Sequence, residues 1–109
     1  MRLSEKATES SASSTVIIMS NTKSILILSR NDPTEAMRVA AGLTIYDHRP
    51  AIVFMVPVPE TPGNTEMAEL LEFSDITSKT TLITDSSLPH IGIKALASAI
   101  LEADEIINI

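Results

Sequence analysis

From residue 22 onward, apolar and polar positions fall into blocks whose lengths and spacings set out strands and helices in turn. Ser24–Ser29 (SILILS) is a continuous apolar run closed by polar residues, the mark of a strand buried on both faces. Asn31-Asp32-Pro33-Thr34-Glu35 follows. Asp32 as N-cap, Pro33 at the first helical position and Glu35 at the third predict a helix that runs to about Ile45. A turn is expected at Asp47-His48-Arg49-Pro50, then a second buried strand over 51–56 (AIVFMV). Pro57, Pro59, Pro62 and Gly63 predict a loop, and a short acidic helix is expected over 65–73. Residues 80–84 (TTLIT) are β-branched apart from Leu82 and predict a third strand. A turn at Asp85-Ser86-Ser87 leads to a helix over 89–101, and 105–109 (EIINI) predict the last strand. Strands alternating with helices imply an α/β domain, a small doubly wound parallel sheet of about four to five strands with helices on both faces.

The first 15 residues, MRLSEKATESSASST, are polar, rich in Ser and Thr and without period. Residues 1–20 are therefore expected to be a disordered leader ahead of one domain over 21–109, with Met19 as an alternative start. The first and last predicted helices carry more apolar surface than one sheet requires. In the first, Glu35, Arg38 and the small Gly42 form a single stripe among apolar residues; in the last, Lys94, Ser98 and Glu102 form a single i, i+4 stripe. A helix on one sheet needs an apolar face of roughly 100° or a little more. Either the many Ala residues tolerate water, or one helix packs on the sheet and also on another subunit. The second reading leads to the expectation of an oligomer.

Charge narrows the partners. The formal net charge is −6, and all of the excess lies in 21–109, since Arg2 and Lys6 offset Glu5 and Glu9. Aromatic residues are limited to Tyr46, Phe54 and Phe73. A chain with neither clustered cations nor stacking platforms is not expected to bind nucleic acid or an anionic membrane surface. The chain has no cysteine, so disulfides, thiolate metal sites and persulfide carriage are excluded. The apolar run Val16-Ile17-Ile18-Met19 is too short for a signal-peptide core, and a cytoplasmic location is expected.

Ligands of open parallel sheets bind beyond the carboxyl ends of the strands. Two loops qualify: Ser29, Arg30, Asn31 and Asp32, and Asp85, Ser86 and Ser87. An anion could dock on the free N–H groups of a helix start there, aided by Arg30. Against this, Asp32 and Asp85 repel anions, and both fit a capping or turn role better. Ser86 or Ser87 with His90 and Asp85 superficially suggests a catalytic triad, but such triads are gathered from distant segments. No catalytic residue is assigned, His48 is expected to be solvated, and no cofactor or metal is expected. Glu66, Glu69 and Glu72 fall along one side of the acidic helix, with Met67, Leu70 and Leu71 opposite. They form a solvated face or a docking surface for a basic partner.

Two families resemble parts of this pattern. ILILSRNDPTEA is loosely similar to the start of a response-regulator receiver domain, but Ser29 and Arg30 stand where receivers need adjacent acidic residues, and no Lys follows at the end of a later strand. The chain more closely resembles the DsrE/DsrF/DsrH-like sulfur-relay family, through KSILILS, the Ala-rich NDPTEAMRVAAGLTIYD, the strand PAIVFMV and the ending LASAILEADEIINI. That resemblance covers about residues 22–109 and implies flavodoxin-like layering. Active members carry sulfur on a cysteine, which this chain lacks. The resemblance therefore implies a non-catalytic paralogue that binds or scaffolds partners in intracellular sulfur transfer. It also implies a homo-oligomer (dimer, trimer or hexamer) or a hetero-oligomer with related subunits, and thiol-bearing sulfur-carrier proteins as partners. A small-ligand or anion-binding module using the strand-end loops is the alternative.

Overall fold

A computed structural model of the chain describes residues 22–83 and 88–109. Strands and helices alternate as β1 (Ser24–Ser29), α1 (Pro33–Ile45), β2 (Arg49–Phe54), α2 (Pro62–Phe73), β3 (Thr77–Thr80), α3 (Ile93–Glu102) and β4 (Glu105–Asn108). All the strand pairs are parallel, in the order β3-β2-β1-β4. This is the α/β doubly wound layout the pattern predicts.

Side chains of a strand alternate between faces, and β1 shows how that builds two cores. Ile25 and Ile27 pack with Ile52, Phe54, Ala36, Met37, Ala40, Leu71 and Ile76 on the side covered by α1 and α2. Leu26 and Leu28 pack with Val53 and Ile91 on the other side, under α3. The chain moves outward from β1 to β2 to β3 and then crosses back to β4 on the far side of β1. The switch in direction therefore lies between β1 and β4.

The helix starts follow side-chain chemistry. The Asp32 carboxylate accepts the Glu35 N–H at 3.1 Å, with Pro33 next to the cap. Glu35 does not reach back to close a capping box; it holds Arg38 in a two-pronged pair at 2.9 and 2.6 Å. α2 repeats the device earlier than expected. Thr61 is its cap, Pro62 its first residue, and the Thr61 hydroxyl accepts the Asn64 N–H at 3.1 Å. The density of prolines before residue 64 suggests a loop, yet Pro62 sits where a helix tolerates proline best.

The ends of α1 and α2 share one geometry. His48 N–H donates to Leu43 and Asp47 N–H to Thr44; Ile76 N–H donates to Leu71 and Asp75 N–H to Glu72. These are Schellman closures, with Asp47 (φ 64°) and Asp75 (φ 60°) in the left-handed position usually held by glycine.

Three further elements depart from their expected bounds. β2 runs over Arg49–Phe54 rather than 51–56, beginning early because the Arg49 N–H already donates to Lys23 at 2.8 Å. Pro50 is tolerated in this inner strand because alternate residues face alternate neighbours. Its nitrogen is on the β3 side, one residue before the pairing of Ala51 with Thr77 begins. β3 occupies Thr77–Thr80 rather than 80–84, since Ile76 enters the core two residues after the Ser74 cap and the strand must start there. The last helix starts at Ile93 rather than 89. Thr80 N–H donates to Pro89 and Ile91 N–H to Thr80, so this stretch is spent extending the sheet.

Candidate functional site

An open groove of about 1260 Å³ lies beside β3. Its floor is apolar: Met37 from α1, Phe54 at the end of β2, Leu71 from α2, and Ile76 leading into β3. The Val56–Pro59 stretch and α2 form its walls, and Leu82, Leu88 and Pro89 close another side. Glu60, Glu69, Glu72 and Asp75 stand around it, and no Lys or Arg lines it among the described residues. The groove thus combines an apolar floor with an uncompensated negative rim.

Asn64 fixes the wall. It is buried, its side-chain amide donates to Pro59 O at 2.8 Å, and its oxygen accepts the Thr34 hydroxyl at 2.9 Å. One residue therefore ties α2 to α1 and to the proline-rich segment. Nothing in the sequence singles it out, because an Asn near a helix start is an ordinary surface residue by type. At the floor, the Thr80 hydroxyl donates to Phe54 O at 3.2 Å and accepts the Leu82 N–H at 3.1 Å. Its hydrogen bonds are internal.

The acidic residues of α2 do not act as one row. Glu69 and Glu72 line the groove and Glu66 does not. Because α2 begins at Pro62, Glu66 lies beyond its first turn, where the helix dipole has little hold on it. The inward stripe is Asn64, Met67 and Leu71, while Leu70 is exposed rather than buried with Met67 and Leu71.

The strand-end loop takes a form that spacing could not show. Ser29 is fully buried, Arg30, Asn31 and Asp32 are exposed, and none of the four lines the groove. The N–H groups of Arg30, Asn31 and Asp32 all point to one acceptor, the Ile109 main-chain oxygen, at 2.7, 2.9 and 3.4 Å. Ile109 N–H in turn donates to Leu28 O at 3.0 Å. The crevice at the switch between β1 and β4 is thus closed by the chain itself. The Ser29 hydroxyl has no hydrogen-bond partner among the described residues. Asp32 serves as the cap, and Arg30 makes no ion pair among the described residues. Asp85, Ser86 and Ser87 lie outside the described residues.

His90 is exposed and its backbone bridges to Thr80. His48 is half-buried rather than solvated, and its Nδ1 accepts the Lys23 N–H at 3.2 Å. Lys23 pairs with Glu105, which raises the Lys23 ammonium pKa above its usual 10.5 through that hydrogen bond and charge. Among the described residues, no cluster of His, Cys, Asp and Glu could hold a metal ion, and no helix is long and apolar enough to cross a membrane. No protein-family model, curated protein or solved structure matches the chain.

Proposed function

We propose that this chain is a non-catalytic, oligomeric subunit that binds or scaffolds protein partners, in the DsrE-like manner and within intracellular sulfur transfer. The observation that carries the interaction role is the groove beside β3. It offers apolar area to bury, and a rim of Glu60, Glu69, Glu72 and Asp75 with no basic residue among the described residues that line it. The complementary occupant is a segment of a partner protein with apolar side chains flanked by Lys or Arg. Opposite charge would steer its approach, and the apolar floor would hold it. The lack of cysteine leaves sulfur carriage to the partner.

The test is titration of a thiol-bearing sulfur-carrier protein against the wild type and the Glu69→Lys/Glu72→Lys variant, at low and high salt. Binding should weaken steeply with salt and with charge reversal. Binding that ignores both would remove the groove from consideration, and absence of binding by any such carrier would remove the sulfur-relay role. The alternative, an anion site at the end of β1, retains the exposed Arg30 but competes with Ile109 for the loop amides. Its check is a thermal shift against phosphate and sulfate, since a ligand of the folded state raises apparent stability.

A further inference from the structure

We propose that α3 is the seam of a two-fold homodimer, packed antiparallel against α3 of a second copy. The proposal rests on the oligomeric reading above and specifies where the contact lies. Leu96, Ala99, Ile100 and Ala103 turn toward the sheet. On the other side Ile93 is 87% exposed and Leu101 85%, with Ala97 exposed between them. These three are four residues apart, so they form one stripe. No residue of α3 is fully buried.

The stripe reads nearly the same in both directions about Ala97. Turning the helix end over end about that residue sets Ile93 against Leu101 of the second copy, and Leu101 against its Ile93. Ala97 meets Ala97, and a small side chain at the crossing lets the backbones approach. Beside this stripe run Lys94, Ser98 and Glu102. At a rise of about 1.5 Å per residue, the same rotation brings Lys94 to within roughly 3 Å, along the axis, of Glu102 in the other copy, and does so twice. A parallel arrangement would instead set Lys94 against Lys94 and Glu102 against Glu102. Charge thus selects the antiparallel second copy.

The rest of the surface argues for the same place. The chain carries a net charge of −6, so two copies repel overall. α2 exposes Glu66, Glu69 and Glu72 with no basic residue in the helix. The outer side of α3 is locally neutral, with one Lys and one Glu.

The test is sedimentation equilibrium of the full chain over a range of concentrations. The wild type should reach twice the mass of the chain. Leu101→Glu should leave a monomer with unchanged circular dichroism, because an exposed residue contributes little to the fold. Lys94→Glu and Glu102→Lys should each raise the dissociation constant about tenfold, the scale of two exposed ion pairs turned repulsive. The double exchange should restore it. A monomeric wild type overturns the oligomeric reading and the seam together. A trimer, a Leu101→Glu dimer of unchanged affinity, or a double exchange that rescues nothing overturns the seam alone.

Discussion

α1 and α3 are built from similar residues, yet they occupy different surroundings. Both are Ala-rich with aliphatic side chains and a thin polar stripe. α1 buries Pro33, Ala36, Met37 and Ala40, and its surplus residues Val39, Ala41 and Leu43 pack against the core edge. α2 lies beside it, joined through Thr34 and Asn64. α3 is the one described helix on its face of the sheet, and its surplus residues Ile93 and Leu101 meet solvent. Apolar content therefore says how much surface a helix could bury, while the neighbours decide how much it does. The excess on α1 is absorbed within the chain except at its last residue, Ile45, which is exposed. The excess on α3 is what a second copy would cover.

The sharpest way to break this contrast is to truncate one side chain on each helix. Met37→Ala should cost about 2–5 kcal/mol, because Met37 is almost wholly buried and leaves a cavity. Leu101→Ala in a dilute monomer should change stability by no more than about 0.5 kcal/mol. Denaturant titration checks both. Equal losses at low concentration would mean that α3 is covered within its own chain. A loss at Leu101 that grows with protein concentration would instead sharpen the assignment of α3 to a dimer seam.

The helix starts give the next largest effect. Asp32→Ala removes the acceptor for the Glu35 N–H and should cost about 1 kcal/mol. α3 has no side-chain cap at Gly92, so nothing comparable can be lost there. An Asp32→Ala variant as stable as the wild type would show that the three amide bonds to Ile109, rather than the cap, hold the start of α1.

What the sequence discloses follows the range of the forces involved. β1, the start of α1 and the place of β4 are legible because their signals are local: an apolar run, an Asp-Pro cap, an alternation. The limits of β2 and β3 are not, since parallel pairing with Lys23 and Ala51 sets them, and partners distant in sequence choose the register. Asp47 and Asp75 end their helices in a geometry usually announced by glycine, so the stops carry no sign. The candidate site divides in the same way. Glu69 and Glu72 are readable as an acidic helix face, but the groove behind them is made by Asn64, Phe54 and Ile76 from three segments. The loop after β1 reads as a set of free amides, and only the fold shows Ile109 occupying them.

A smaller effect tests a flaw beneath α1. Ser29 shares that face with Ile25 and Ile27, and its hydroxyl is buried without a partner among the described residues. Ser29→Ala should therefore raise stability by up to about 1 kcal/mol. A destabilised variant would show that the hydroxyl is used, and would return Ser29 to the candidate binding residues. On α3 the corresponding gain is at its uncapped start. Gly92 has extended backbone angles (φ −83°, ψ 172°) and open space where a Cβ would sit. Gly92→Asp should gain a few tenths of a kcal/mol through capping, measured as a small rise in Tm. No gain would mean that the start of α3 is held by the bridge from Thr80 to Ile91.

The smallest expected effect concerns how the strand that follows α3 is tied to β1. Lys23 pairs with Glu105 at the open end of β4, and the pair raises the Lys23 pKa in the folded chain. A group that binds its proton more tightly when folded contributes its full stabilisation below its unfolded pKa and loses it as pH rises through the folded one. The contribution should thus be constant below pH 10.5 and fade above it. Both side chains are about half exposed, so solvent screens the pair and the effect should fall below every other one predicted. Denaturation of the wild type and Lys23→Met from neutral to strongly alkaline pH provides the measurement. The two curves should converge above the lysine range. Curves that stay parallel would mean that Lys23 acts through its backbone bonds to His48 and Arg49, which the substitution leaves in place.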